Sequence, residues 1–156
     1  TLLTQGITCV KVETVCIQCP ENWLSFQSNC YFFSSVKKSW HSAQRSCENE
    51  GAHLVIINSL VEQNTLVKQL ANEQVVWIGL SDSTTEGSWR WLDGTALSLS
   101  FWGSGEPNNA AAHEGEDCGT LIYNGKWNDV ICSNSEQWIC EKKSIEQTST
   151  STPSIF

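Results

Sequence analysis

The sequence of 156 residues predicts an α+β domain held by disulfides and built around one long loop. Strand patterns stand before and after two helical patterns, an order typical of α+β domains. The even count of eight cysteines in an acidic chain indicates disulfides and an oxidising compartment. Residues 92–117 carry few strand signals, several glycines and one proline. A loop of this length in a compact domain usually serves a function.

The first predicted elements are a pair of strands and a helix. Residues 23–33 alternate apolar and polar side chains, which predicts paired strands. Ser39 is a suitable N-cap for a helix that Gly51 would end. The helix would bury one apolar face, formed by Trp40, Ala43 and Cys47.

The central elements are two buried strands and a second helix. Residues 53–57 and 75–80 are short apolar runs, which predict buried strands. Between them, Ser59 and Glu62 have the spacing of a capping box that begins a helix. This helix is expected to carry Leu66, Val67 and Leu70. After the long loop, three short strands are predicted at 119–123, 126–131 and 137–142.

The ends of the chain predict little regular structure. Residues 1–18 lack a clear pattern and are interpreted as a stalk or neck flank. Residues 144–156 are rich in Ser, Thr and Gln, which predicts a disordered tail. The folded domain is therefore expected to span 19–143. The chain begins at Thr1 and shows neither a signal peptide nor an apolar run of roughly 20 residues, so we expect it to be a piece of a longer protein.

The charge of the chain excludes one class of partner. Its formal net charge is −8, and its Lys and Arg residues are mostly scattered singly. A nucleic-acid partner requires a basic stripe, so nucleic-acid binding is not expected. An acidic chain suits a cationic partner, of which a metal ion is the simplest.

The cysteines admit a rival interpretation. Cys16 and Cys19 have zinc-knuckle spacing, but neither a second such pair nor two suitably spaced histidines follow. Structural disulfides are therefore favoured over zinc. Spacing alone leaves their pairing open.

Side chains that carry oxygen collect in three places along the chain. Calcium takes about six to eight oxygen ligands from carboxylates, amides and backbone carbonyls. One His at position 113 beside Glu114 could suggest a transition metal, and the paired carboxylates could suggest a glycosidase. A set of solvated loop carboxylates is the simplest alternative. The three clusters are Asp82 and Glu86; Glu106-Pro107-Asn108-Asn109 with Glu116-Asp117; and Asn128-Asp129.

Taken together, these motifs resemble the C-type lectin family, and within it the DC-SIGN-like and related type II receptors of leukocytes. The resemblance covers about residues 16–143. The matching residues are Trp77-Ile78-Gly79-Leu80, Glu106-Pro107-Asn108, Cys118, Trp127-Asn128-Asp129, Trp138-Ile139-Cys140, Cys19-Pro20, Cys30 and Cys47. The resemblance implies a C-type lectin-like fold with two helices, small antiparallel sheets and a long calcium-binding loop.

The resemblance also implies how the cysteines pair. It implies the disulfides Cys19–Cys30, Cys47–Cys140 and Cys118–Cys132. Relatives often pair a cysteine at position 16 with one beyond the last strand, but no cysteine follows Cys140 here. We therefore expect Cys9–Cys16, or a bridge from one of these two to another chain.

For the site, the resemblance implies two calcium ions and direct binding of sugar hydroxyls. Glu at 106 with Asn at 108 is the family's mannose-type order, so mannose, fucose, glucose and N-acetylglucosamine are expected and galactose is disfavoured. Glu114 is the alternative to Glu116 if the loop folds otherwise. The ligands implied for the principal, sugar-binding ion are Glu106, Asn108, Glu116, Asn128 and Asp129, and those for the auxiliary ion are Asp82, Glu86, Asn109 and Asp117.

We therefore expect a calcium-dependent glycan-binding domain and not an enzyme. The alternative is a domain of the same fold that binds a protein or glycolipid. The resemblance implies the ectodomain of a type II cell-surface receptor, with a secreted protein as the alternative. Because one such site binds a sugar weakly, clustering or oligomers of the full-length protein are also expected.

Overall fold

In the computed structural model, the backbone is described for residues 7–12, 15–107 and 115–148, and the side chains for 18–107 and 115–145. The chain divides into two compact units. One contains the described residues up to Phe32 and from Lys142 onward, and the other contains Phe33–Glu141. Within the described ranges, no helix is long and apolar enough to cross a membrane.

The first unit contains a three-stranded antiparallel sheet and a hairpin. Strand β2 (Val15–Pro20) lies between β1 (Ile7–Val12) and β11 (Ile145–Thr148). Strands β3 (Leu24–Phe26) and β4 (Asn29–Phe33) pair antiparallel, as residues 23–33 predicted.

The sheet β1-β2-β11 corrects the expectation for the two ends of the chain. Residues 1–18 were interpreted as a stalk or neck flank with little pattern, and disorder was expected from residue 144. Instead, β1 and β2 lie in the former segment and β11 in the latter. The strands arise because each backbone finds hydrogen-bond partners on another strand, and β11 and β2 are far apart in sequence.

The second unit begins with helix α1 (Trp40–Asn49), which confirms the predicted caps. The Ser39 hydroxyl accepts a hydrogen bond from the Ser42 backbone N–H at 3.4 Å. After the helix, Gly51 takes a φ of 69°, a conformation that suits glycine. The predicted apolar face is buried and consists of Trp40, Ala43 and Cys47.

Helix α2 (Leu60–Val67) also begins as predicted but is shorter. The Ser59 hydroxyl accepts from the Glu62 N–H at 3.1 Å. The helix ends before Leu70, which was wrongly expected inside it, because Lys68 caps the helix and the Leu70 N–H closes a tight turn onto the Val67 carbonyl.

The remaining strands of this unit surround β6 (Val75–Ser81). Strands β7 (Arg90–Trp91) and β8 (Cys118–Ile122) pair with it antiparallel, and β10 (Gln137–Lys143) pairs with it in parallel. Strand β9 (Trp127–Val130) pairs antiparallel with β8. Strand β5 is His53–Leu54, shorter than the predicted 53–57, and pairs with β10.

Three disulfides among the described residues match those that the resemblance implied. They are Cys19–Cys30, Cys47–Cys140 and Cys118–Cys132. Because Cys19 is paired with Cys30, a zinc site that uses Cys16 and Cys19 together is excluded. The side chains of Cys9 and Cys16 lie outside the described set, so their pairing stays a prediction.

The tryptophans form much of the core, with Trp127 at the centre of one aromatic cluster. Trp91, Phe101 and Trp102 pack edge-on around Trp127, with ring centroids 5.5, 5.4 and 5.9 Å away. This cluster attaches the described part of the long loop to β9. Six of the eight tryptophans are buried: Trp40, Trp77, Trp89, Trp91, Trp127 and Trp138.

Candidate metal centre

The first group of carboxylates lies where β6 ends and β8 begins. Ser81 stands opposite Cys118 in the β6–β8 ladder, so Asp82 and Asp117 follow as neighbours just beyond it. The Asp82 N–H donates to the Asp117 backbone carbonyl at 3.0 Å. Glu86 completes the group, and carboxylate oxygens of the three residues lie within 4.8 Å of one another. We call Asp82, Glu86 and Asp117 the strand-end group.

Asp82 is held in an environment that disfavours its charged form. The residue is 3% exposed, and its Oδ2 accepts a hydrogen bond from the Gly87 N–H at 2.8 Å. Burial raises the pKa of Asp82 to about 6. The hydrogen bond from Gly87 lowers this pKa, and the neighbouring Asp117 carboxyl raises it further. Two buried oxygens, Asp82 Oδ1 and Asp117 Oδ1, have no hydrogen-bond partner among the described residues. A cation would satisfy both.

The second group combines two carboxylates of the long loop with one on β9. The Gly103 N–H donates to the Trp127 carbonyl at 2.9 Å, and the Glu106 N–H then turns back to the Gly103 carbonyl at 3.0 Å. This turn places Glu106 beside Glu116 and Asp129, with carboxylate oxygens within 4.8 Å of one another. We call Glu106, Glu116 and Asp129 the loop group.

Asn128 precedes Asp129 of the loop group on β9. Its backbone carbonyl accepts a hydrogen bond from the Thr120 hydroxyl at 3.1 Å, and it stands opposite Thr120 in the β8–β9 ladder. Its side-chain Oδ1 is buried and has no hydrogen-bond partner in the described part of the chain. A buried amide oxygen without a partner costs about 1–3 kcal/mol unless something coordinates it.

The chemistry of both groups fits calcium. Three carboxylates this close repel one another unless a proton or a cation intervenes. The described members offer only carboxylate and amide oxygens, the ligands that calcium prefers, and they include neither a histidine nor a thiolate. The residues present therefore fit the ion that the resemblance implied.

Several predicted ligands remain outside this description. The structure brings together the carboxylates of Glu106, Glu116 and Asp129, and separately those of Asp82, Glu86 and Asp117. Asn128 is placed only as the neighbour of Asp129 on β9. The Glu106–Pro107 peptide bond is cis. The remaining residues named from sequence, Asn108, Asn109, His113 and Glu114, lie outside the described residues.

Sequence reasoning missed one residue that supports the site. The buried Gln63 of α2 accepts a hydrogen bond from Trp127 Nε1 at 3.1 Å and donates to the Gly125 carbonyl at 2.7 Å. No local signal marks Gln63, because its partners are more than sixty positions away. Trp102, the tryptophan of the long loop that we expected as a candidate sugar contact from its position in the sequence, is half-buried and packs edge-on against Trp89 and Trp127.

Comparison with known proteins identifies the family. A protein-family sequence model, described as the Lectin C-type domain, matches residues 36–142. The chain belongs to the C-type lectin domain family. This assignment confirms the predicted C-type lectin-like fold. It also confirms the prediction that the chain is a carbohydrate-binding domain and not an enzyme.

A named relative of this C-type lectin domain supports the assignment. The human C-type lectin domain family 17, member A, is 49% identical over 127 residues, which are 81% of this chain and 33% of that protein. The chain thus spans about a third of the length of that relative.

Two solved structures are also similar. The carbohydrate-recognition domain of cow CD23, solved in the presence of a GlcNAc2Man3 oligosaccharide, is 41% identical, with a TM-score of 0.77 and coverage of 83% of this chain and 99% of that one. A calcium-independent type II antifreeze protein is 30% identical, with a TM-score of 0.74 and coverage of 83% and 97%. Since the fold also occurs in that protein, calcium dependence must be argued from the residues.

Proposed function

We propose that this C-type lectin domain binds glycans through calcium. The loop group and Asn128, together with Asn108, would hold the principal ion. The strand-end group, together with Asn109, would hold an auxiliary ion. The observation that carries the proposal is the convergence of the three carboxylates of the loop group. The buried Oδ1 of Asn128, which precedes Asp129 on β9 and has no hydrogen-bond partner among the described residues, adds to it. The proposal is supported by the similarity to the CD23 domain, whose structure was solved in the presence of a GlcNAc2Man3 oligosaccharide.

The side chains of the principal site can also bind the sugar. When bound, the ion supplies coordination positions for two vicinal hydroxyls. Glu106 and Glu116 can accept hydrogen bonds from those hydroxyls. If the amide oxygens of Asn108 and Asn128 hold the ion, their N–H groups remain as donors to the sugar. The order of acceptors and donors then selects which pair of hydroxyls fits.

The order Glu106 then Asn108 supports terminal mannose, fucose and N-acetylglucosamine as ligands. This order suits equatorial 3- and 4-hydroxyls, as the family resemblance implies. One small, wet site gives affinity on the order of millimolar, so clustered or oligomeric display would supply useful avidity. We propose that the domain is displayed outside the cell, as part of a type II membrane receptor.

A glycan array with calcium and with EGTA tests the proposal. We expect mannose-, fucose- and N-acetylglucosamine-terminated glycans to bind with calcium and to be released by EGTA. The double substitution Glu106→Gln/Asn108→Asp should move preference toward galactose. Asp93→Asn is the matched control, because Asp93 is an exposed carboxylate of the same loop that bonds Thr95.

The outcomes separate glycan binding from the alternative function. A protein or glycolipid partner retained in EGTA, with no glycan bound in calcium, would contradict the proposal and favour the alternative. Glycan binding that survives EGTA would contradict the role of calcium but would leave glycan binding itself supported.

A further inference from the structure

A polar groove lies along helix α1, apart from both carboxylate groups. Its volume is about 640 Å³, and no residue of the strand-end or loop group lines it. Two cations, Lys38 and Arg45, stand among serine side chains. The serines that line it are Ser39, Ser42, Ser46 and Ser135.

The two cations converge on a single turn of the helix. Lys38 Nζ donates to the Ser46 hydroxyl at 2.9 Å, and an Arg45 guanidinium N–H donates to the Ser42 hydroxyl at 3.1 Å. Ser42 and Ser46 are four residues apart and are themselves joined, since the Ser46 hydroxyl donates to the Ser42 carbonyl at 3.0 Å. Residues at this spacing are neighbours on a helix surface.

These cations have no acidic partner in the described part of the chain. Among residues 18–107 and 115–145, no carboxylate forms an ion pair within 4.0 Å with Lys38 or Arg45, whereas His53 lies 3.9 Å from Glu141. Glu48 also lines the groove, but its Oε1 accepts a hydrogen bond from Gln44. Lys38 is held further by the ring of Trp138, 5.6 Å from its ammonium.

Lys38 and Arg45 leave unused hydrogen-bond donors in the groove, which the Glu48 carboxylate also lines. The Ser42 and Ser46 hydroxyl oxygens already accept from the cations. An ammonium has three donors and a guanidinium has five, so most of those on Lys38 and Arg45 remain for a ligand. Oxyanions accept such charge-assisted hydrogen bonds.

We propose that this groove binds a tetrahedral oxyanion, the sulfate or phosphate ester of a sugar. Lys38 and Arg45 supply the charge, and Ser42 and Ser135 line the same groove. This site does not depend on calcium, so its test is independent of the proposed function.

The test uses NMR titration of the isotope-labelled protein in EGTA with three sugars. These are N-acetylglucosamine 6-sulfate, N-acetylglucosamine 6-phosphate and unsubstituted N-acetylglucosamine. We expect the two anionic sugars to shift the amides of Ser42, Ser46 and Ser135, with dissociation constants on the order of millimolar. The unsubstituted sugar should leave these amides unchanged, and the tighter anion identifies the source of the oxyanion.

Two double variants separate a built site from general electrostatics. Lys38→Ala/Arg45→Ala should weaken binding at least about tenfold, because it removes both charged donors. Lys37→Ala/Lys68→Ala removes the same charge from exposed positions outside the groove and should change the affinity less than about twofold. Thermal unfolding should show both variants folded.

Three results would overturn the proposal. They are no amide shifts with either anionic sugar, equal shifts with the unsubstituted sugar, and equal loss of affinity in both double variants.

Discussion

Gln63 in α2 and Trp127 in β9 are joined by a buried hydrogen bond of 3.1 Å from Trp127 Nε1 to Gln63 Oε1. Gln63 is 2% exposed and Trp127 is fully buried. Because Asn128 and Asp129 directly follow Trp127, this contact links the packing of a helix to the position of two candidate calcium ligands.

We expect Gln63→Leu to destabilise the domain by about 1–3 kcal/mol, since it leaves Trp127 Nε1 and the Gly125 carbonyl without a partner. Urea unfolding in EGTA measures the loss. Gln69→Leu, at an exposed position just after α2, is the control and should be nearly neutral. Equal stabilities of the Gln63 variant and the wild type would show that this hydrogen bond contributes little.

Asp129→Asn should weaken calcium binding at the principal site at least about tenfold, because it removes one of three converging carboxylates. Isothermal titration of the metal-free domain with calcium measures this. Asp93→Asn is the control, because Asp93 is exposed and bonds Thr95 in the same loop. The assignment fails if both variants bind calcium as the wild type does.

Calcium should stabilise the domain, because an ion that binds the folded state alone shifts the folding equilibrium. At a free concentration about 100 times the dissociation constant, the gain is about 2.7 kcal/mol for each site. Thermal unfolding in calcium and in EGTA measures it, and Asp129→Asn should reduce the difference. A melting temperature unaffected by EGTA in the wild type would contradict a calcium site.

The metal-free domain should lose stability through Asp82 as the pH rises. The pKa of Asp82 is raised from 3.8 to about 6 in the folded state, chiefly by burial. The folded state therefore binds the proton more tightly than the unfolded state. The resulting stabilisation is fully present below the unfolded pKa and is lost as the pH rises through about 6.

Asp82→Asn cannot ionise at this position and isolates that effect. In EGTA, we expect the stability of this variant relative to the wild type to increase between about pH 4 and pH 7. Urea unfolding across this range measures the difference. A difference independent of pH would contradict the shifted pKa.

Acidification should also weaken calcium and sugar binding, because carboxylates must be ionised to hold the ion and protons compete for them. Calcium titration at about pH 7.4 and pH 5.5 measures this. An unchanged affinity at limiting calcium would refute the expectation.

The local elements were largely predictable because their causes are local. Ser39 and Ser59 cap helices through bonds to residues three positions away, and both helices begin as predicted. The end of α2 was less predictable, since Leu70 continues the apolar spacing while the backbone turns. Strand β11 had no compositional signal, because its partner β2 lies at the other end of the chain.

The sequence by itself determined the kinds of donor atom, the disulfide-forming cysteines, and the caps that begin the two helices. Only the tertiary structure decided which oxygens meet. The β6–β8 register places Asp82 beside Asp117, and the turn from Gly103 brings Glu106 to Asp129. Burial of Asp82 also depends on these contacts. The physical reason is that convergence and desolvation arise from pairing between strands that are distant in sequence, which no local pattern contains.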